Sequence, residues 1–394
     1  MTHINLSLLF RTTFLILAAI MLAVSLTAQT IINGSFIHNG IDRNYRLYIP
    51  EIYSPSNPVP MLFNLHGYGS NNIEQEQYGD FRPIADTANF IIVHPNGTPD
   101  NGGNLFWNTF GGASIDDVGF LSALIDTVMA DYSIDETRIY STGMSNGGFM
   151  SYDLACFLSE RITAVASVTG SMIKPRLTTC DLTRLMPVMQ IHGTADATVP
   201  YNGNFLFTHI DTLVNFWVQH NNCLPDPVII QIPDIVPTDG CTAEQHIYTS
   251  ANSIASVEFF KIIGGGHSWP GAPININITN MDFSASIEIW RFFRQYSLDQ
   301  FITGYDYTNL LASQINIYPN PSSDKITIEY SGGSQFTNAV LSIIDLQGRQ
   351  IHSQDFPAEQ QQIRLDVGDW AKGLYLLRIS SNNEITKTRK FVIR

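Results

Sequence analysis

The hexapeptide Gly143-Met144-Ser145-Asn146-Gly147-Gly148 constrains this chain more than any other stretch. Before it, Arg138-Ile139-Tyr140-Ser141-Thr142 has the β-branched and aromatic character of a buried strand, and residues 149–158 after it read as a helix. A G-x-S-x-G run between strand and helix sets its serine on a sharp turn, with the hydroxyl free at the carboxyl end of a sheet. Glycines flank the serine because a Cβ would clash in so tight a bend. A chain with 28 glycines also meets this pattern as a plain turn with a surface serine, so the partners available to Ser145 decide the matter.

The surrounding sequence predicts the sheet that such a turn needs. Residues 61–65, 91–93, 164–168, 186–191 and 257–262 are nearly continuous apolar runs, the mark of strands buried on both faces in a parallel sheet covered by helices. Helical stretches are predicted over 117–129, 205–220 and 283–296, and a β-hairpin over 31–49 with its turn at Asn39-Gly40. This alternation predicts an α/β domain over 29–297. A polar connector, 298–313, follows. Beyond it the apolar period drops to two: Ile315 and Ile317; Ile326, Ile328 and Tyr330; Ile363, Leu365 and Val367; Tyr375, Leu377 and Ile379. Turn signals at Ser331-Gly332-Gly333 and Gln347-Gly348 separate these runs, which predicts a small β-sandwich over 314–394.

The first 28 residues read as a secretory signal peptide: Arg11, an apolar run over 14–26, and small residues at Thr27-Ala28. The run is short for a membrane span, so the mature chain is expected to start near Gln29 with no span. A formal charge of −14 and no basic stripe argue against nucleic acid as a partner. Export makes the four cysteines readable, because thiols pair in oxidising compartments. Their spacing does not resemble a zinc site. Two local disulfides are the simplest arrangement, Cys156–Cys180 and Cys223–Cys241, with four buried thiols as the alternative.

A serine nucleophile needs a base, and the base needs an orienting carboxylate. The order Ser, Asp, His selects Asp196, just past the strand at 186–191, and His267, just past the strand at 257–262. Asp153, Asp181, Asp211, Asp226, Asp234 and Asp239 compete for the acid role, but none follows a strand so closely. His192 precedes Asp196 and fits the order badly, so it reads as a structural histidine. An oxyanion hole needs two backbone amides, expected at Asn146, after the nucleophile, and at Tyr68 in the loop His66-Gly67-Tyr68-Gly69.

With these pieces in place, residues 35–297 resemble the secreted esterases grouped with polyhydroxybutyrate depolymerases and feruloyl or acetylxylan esterases, carbohydrate esterase family 1. The resemblance rests on His66-Gly67-Tyr68-Gly69, Trp107-Asn108, Asp116-Asp117-Val118-Gly119-Phe120, the elbow hexapeptide, His192-Gly193-Thr194-Ala195-Asp196, Val199-Pro200-Tyr201 and Gly266-His267-Ser268-Trp269-Pro270-Gly271. It implies an α/β-hydrolase fold, the triad Ser145, Asp196 and His267, the same two disulfides, and Trp107 and Trp269 lining the cleft. Ordinary core packing is the other reading of these tryptophans. Asp116 and Asp117 suit a helix N-terminus better than a metal, and neither metal nor cofactor is expected. The tail resembles a type A sorting domain of the type IX secretion system through Ile317-Tyr318-Pro319-Asn320-Pro321, Asp345-Leu346-Gln347-Gly348-Arg349, Gly373-Leu374-Tyr375 and Lys390-Phe391-Val392-Ile393-Arg394. Its rival, a carbohydrate-binding module, usually exposes aromatics, and Trp370 is the tail's only tryptophan.

The expectation is therefore a secreted serine ester hydrolase acting on polymer-linked esters and exported through its tail. The acyl group stays open between hydroxybutyrate polyester, feruloylated xylan and acetylated xylan. A prolyl-oligopeptidase-like peptidase would use the same triad, but the sequence leaves no room for a propeller before the hydrolase core. A non-catalytic surface binding protein is the remaining alternative.

Overall fold

Strand order, rather than strand number, places the chemistry of this chain. The computed structural model describes residues 29–111, 113–180, 182–249, 254–274, 277–301, 315–330, 339–345, 349–356, 362–381 and 384–394. The expected signal peptide and nearly all of the expected connector lie outside these residues. The chain divides into two compact units, one ending at Gln300 and the other beginning at Phe301.

The first unit is built on one ten-stranded sheet. Its first strands, β1 (Thr30–His38) and β2 (Ile41–Ile49), form the hairpin read from the sequence. The turn residues Asn39 and Gly40 take φ of 49° and 81°, the left-handed pair that a two-residue hairpin demands. Next come β3 (Val59–Leu65), helices α1 (Asn72–Tyr78) and α2 (Arg82–Ala88), β4 (Ile91–Pro95), and the short pair β5 (Thr98–Pro99) and β6 (Leu105–Phe106). Then follow α3 (Asp117–Asp131), β7 (Ile134–Met144), α4 (Asn146–Phe157), β8 (Ala164–Val168), the single turn α5 (Arg176–Thr179) and β9 (Val188–Gly193). Helix α6 (Ile210–His220), β10 (Val228–Gln231), β11 (Thr242–Tyr248), β12 (Val257–Ile263) and α7 (Ala285–Phe293) complete the unit.

The sheet runs β1-β2-β4-β3-β7-β8-β9-β12-β11-β10. The six central strands pair in parallel, and antiparallel hairpins flank them on both sides. Every residue of β3, β4, β8 and β9 is buried, as their unbroken apolar runs predict. The carboxyl ends of β7, β9 and β12 therefore open on one edge of the sheet, where loops meet ligands in parallel α/β folds.

Helix α6 starts at Ile210, later than the expected 205. The Asn204 side chain accepts from the amides of Leu206 and Phe207, and Phe207 bridges to Ile173, so this segment is held as a turn until His209 caps the helix.

The second unit is all β, as its period of two predicts. One sheet is β13 (Ile315–Tyr318), β14 (Lys325–Tyr330) and β17 (Gln362–Asp366), in the order β13-β14-β17. The other is β15 (Ala339–Asp345), β16 (Gln350–Phe356), β18 (Gly373–Ser381) and β19 (Glu384–Ile393), in the order β16-β15-β18-β19. All pairings are antiparallel. Ile326, Ile328, Ile363 and Leu365 of the first sheet share one core with Leu341, Ile343, Tyr375, Leu377, Phe391 and Ile393 of the second.

One of the two expected disulfides is corrected. Cys156 and Cys180 are bonded, with Cα atoms 4.7 Å apart. Cys223 and Cys241 are free thiols. Leu224 N–H donates to Thr249 O, which sets Cys223 at the far end of β11, while Cys241 immediately precedes that strand. Seven extended residues put about 23 Å between them, far beyond the Cα separation of about 7 Å that a disulfide spans. Burial raises both thiols to about 11, so both stay protonated.

Candidate active site

Ser145 sits between β7 and α4 with φ 54° and ψ −118°. A non-glycine residue at positive φ costs energy that the surroundings must impose, and here they do. Ser145 N–H donates to Val168 O at 2.8 Å and Ser145 O accepts from Phe149 N–H at 3.0 Å, tying the turn to β8 and to the helix. A Cβ on Gly147 would lie 2.1 Å from Leu65 O, and one on Gly143 2.6 Å from the same atom. The flanking glycines let β3 pass under the turn.

Asp196 and His267 reach one another from the loops after β9 and β12. His267 Nδ1 lies 2.7 Å from Asp196 Oδ2, and the Asp196 side chain is fully buried. The other oxygen, Oδ1, accepts from Thr198 N–H at 2.8 Å and Val199 N–H at 2.9 Å. Such a carboxylate accepts a hydrogen bond from imidazole Nδ1–H and leaves Nε2 as the free basic nitrogen. Thr194 N–H donates to Ile262 O and Ala195 N–H to Gly265 O, lacing the two loops together. Gly193 makes this possible, since a Cβ there would meet Gly265 O at 2.2 Å.

The loop after β3 lies against the serine: a Cβ on Gly67 would be 3.4 Å from Ser145 Cβ. His66 is buried, donates from Nδ1 to Gly67 O at 2.7 Å and accepts from Gly97 N–H on Nε2 at 2.9 Å. Burial lowers it to about 4, so it is a neutral strut. Tyr68 is 56% exposed, and its hydroxyl donates to Asp100. As the first residue of α4, Asn146 has an amide without an intrahelical acceptor.

The Asn146 side chain has a role that the sequence did not suggest. Its Oδ1 accepts from Trp107 N–H at 2.7 Å, and its Nδ2 donates to Trp107 O and Thr109 Oγ1. Trp107 Nε1–H donates to His66 O at 3.0 Å. Neither expected tryptophan lines an open cleft: Trp107 is 0% and Trp269 1% exposed. Trp107 pins Asn146 to His66 beneath the serine. Trp269 packs edge-on against Phe81 and bonds Ser286 through Nε1. Asp116 caps α3 through Gly119 N–H, as its position predicts. Asp117 instead accepts from buried Arg43 at 2.6 Å and from Asn108 N–H at 2.7 Å, bracing the Trp107 loop.

Aromatic rings gather one helical turn beyond the serine. Phe149 lies 5.2 Å from Phe110 and 5.1 Å from Phe207, ring to ring, and packs with Ile173 and Val199. Phe110 is 41% and Phe205 90% exposed. Among the described residues no cluster of three or more His, Cys, Asp or Glu could hold a metal, and no helix is long and apolar enough to cross a membrane.

Comparison with known proteins finds ester hydrolases and a secretion domain. Residues 114–222 match a phospholipase/carboxylesterase family, and residues 316–394 match a secretion system C-terminal sorting domain. Feruloyl esterase C of Emericella nidulans is 29% identical over 270 residues, 67% of this chain and 87% of that protein. A probable feruloyl esterase C of Aspergillus terreus is 31% identical over 256 residues, 63% of this chain and 83% of that protein. In fold, the chain is similar to an acetyl xylan esterase from Aspergillus awamori, with TM-score 0.50 and 14% identity, over 67% of this chain and 99% of that one.

Proposed function

Because this chain belongs to the feruloyl esterase family of α/β-hydrolases and ends in a secretion-system sorting domain, we propose that it is a secreted serine esterase using Ser145, His267 and Asp196. Ser145 Oγ attacks the ester carbonyl while His267 Nε2 takes its proton. The Asp196 carboxylate holds Nδ1–H and stabilises the imidazolium. The amides of Tyr68 and Asn146 receive the oxyanion. Collapse expels the alcohol with the proton from His267, and water then releases the acyl group from the acyl-enzyme. The observations that support this reading are the 2.7 Å contact of His267 Nδ1 with a fully buried Asp196 and, separately, a serine held at positive φ in the turn after β7.

Among polymer-linked esters, the rings of Phe110, Phe149 and Phe207 favour an aromatic acyl group, as the relatives' names suggest, over acetyl or hydroxybutyryl. The sorting domain supports export through the type IX system, with residues 1–28 as the signal peptide, 298–313 as a linker and 314–394 as the exported tail.

Ser145→Ala tests the chemistry: it should lower p-nitrophenyl acetate turnover by a factor on the order of 10³ or more with the melting temperature unchanged. Wild-type turnover in that variant overturns the reading. Methyl ferulate, acetylated xylan and polyhydroxybutyrate, compared side by side, test the acyl group. Phe207→Ala should raise KM for methyl ferulate and spare p-nitrophenyl acetate.

A further inference from the structure

Behind Asp196 runs a chain of buried side chains that ester hydrolysis does not itself use. Tyr152 on α4 and Gln190 and His192 on β9 are each 0% exposed. Tyr152 O–H donates to Gln190 Oε1 at 2.5 Å, which fixes the orientation of that amide. Gln190 Nε2 then faces Gly170 O at 2.9 Å and His192 Nδ1 at 3.0 Å. An amide nitrogen can only donate, so His192 Nδ1 accepts and the ring's proton sits on Nε2. That nitrogen lies 2.9 Å from Val199 O and 3.5 Å from Asp196 Oδ2. Val199 is gripped twice: its carbonyl by His192, and its amide by Asp196 Oδ1.

Resting on the triad reading above, we propose that Tyr152, Gln190 and His192 are positioning residues that lock a proton on His192 Nε2 and so hold the Asp196 carboxylate aimed at His267. The charged and titratable groups facing His192 fit this role. Asp196 and His267 lie beyond Nε2. The Tyr201 ring lies 6.2 Å away. Lys261 is its register partner on β12, with its ammonium over the Tyr201 ring. On the β8 side Gln190 pairs with uncharged Ser167. Burial lowers His192 to about 4, so it stays neutral where an esterase works. Asp196 therefore acts on one cation, the imidazolium that forms at His267. A second imidazolium at His192 would divide that attraction and weaken the base.

Exchanging the donor for an acceptor tests the relay. In Gln190→Glu the carboxylate can only accept, so a hydrogen bond to it requires a proton on His192 Nδ1, the second on the ring. In His192→Gln an N–H donor remains near Val199 O; in His192→Phe it is gone. The full chain would be assayed for kcat and KM on p-nitrophenyl acetate across pH, with melting temperatures and Ser145→Ala alongside. His192→Phe should lower kcat by about 10- to 100-fold at nearly constant KM, and His192→Gln should restore most of that loss. Gln190→Glu should move the acid limb of kcat/KM down by about one pH unit. The proposal is overturned if His192→Phe matches wild type, if Gln190→Glu leaves the limb in place, or if His192→Gln falls as far as His192→Phe. Should His192→Phe fail to fold, the Gln190→Glu limb and the His192→Gln rate still decide. Wild-type turnover in Ser145→Ala would instead fell the triad reading, and the relay with it. An inactive Ser145→Ala beside an unmoved Gln190→Glu limb fells the relay alone.

Discussion

In the unit ending at Gln300, Arg43, Glu76, Asp117, His66, His94, His192 and Asp196 all lie out of water, each buried within a polar network. In the tail unit the shared core is Ile, Leu, Val, Phe and one Tyr. Both rest on sheets, but they are held to different standards. A hydrocarbon core asks only that apolar residues face inward at the right period. A buried charge or imidazole must also find its partner, because without one it costs several kcal/mol. The hydrolase unit accepts that exposure to error because ester chemistry requires oriented polar groups away from water, whereas among the described charged residues of the tail only Asp345 is buried.

Acid should separate the units most strongly. Burial lowers His66, His94 and His192 from 6.5 to about 4. The unfolded chain thus binds protons that the folded one refuses. Stability is intact above pH 6.5 and is lost as pH falls through 4, by on the order of 3 kcal/mol for each histidine. Calorimetry at pH 7, 5.5 and 4 should show the hydrolase transition falling well ahead of the tail's. Two transitions moving together would break the comparison.

Next in size is the Arg43–Asp117 pair, 2.6 Å apart with both side chains almost fully buried. Asp117→Ala leaves a buried guanidinium unpaired and should cost about 3–5 kcal/mol. The Arg43→Met, Asp117→Ala double variant should recover part of that cost, and denaturant titration reads both. The Arg349–Asp345 pair in the tail, whose guanidinium is 74% exposed over a nearly buried carboxylate, should cost less than the Arg43–Asp117 pair when broken by Arg349→Ala.

A smaller effect belongs to the Cys156–Cys180 bond, whose loss by Cys156→Ser should cost about 3 kcal/mol in the hydrolase transition alone. Thiol titration of the wild-type chain in guanidinium should find two thiols, Cys223 and Cys241. Finding none would restore the second disulfide. Smallest of all, ending the chain after Ser313 should leave turnover on soluble esters within about twofold of wild type. A large loss would show that the two units are not independent.

The sequence announced the central strands because a parallel strand covered on both faces must be apolar throughout, as β3, β4, β8 and β9 are. Asp196 and His267 were legible for a related reason: each follows a buried strand, and strand ends on one edge of a sheet converge. The hairpin of β10 and β11 was not legible. Val228, Ile229, Ile230 and Gln231 are all exposed on the outermost strand, so no alternation of burial marks them. Missing β11 also hid the distance between Cys223 and Cys241. The tryptophans misled for another reason. Proximity in sequence to Asn108 or His267 says nothing about which way a ring points, and hydrogen bonds to His66 O and Ser286 turn both inward. Nor does spacing reveal a chain of partners drawn from separate elements, such as Tyr152, Gln190 and His192.

The glycines of the elbow bear on how this molecule could diversify. Any side chain at Gly143 or Gly147 would drive an atom into Leu65 O, and any at Gly193 into Gly265 O. Three strands are thus locked at their tips by positions that admit one amino acid, and Asn146 is held by its own side chain. A lineage in search of a new acyl group, or an engineer, is left with the turn at 204–207 and the segment around Phe110. There Phe110 and Phe205 present exposed rings. Inheritance is written into the strand ends, and novelty is confined to two short stretches beside them.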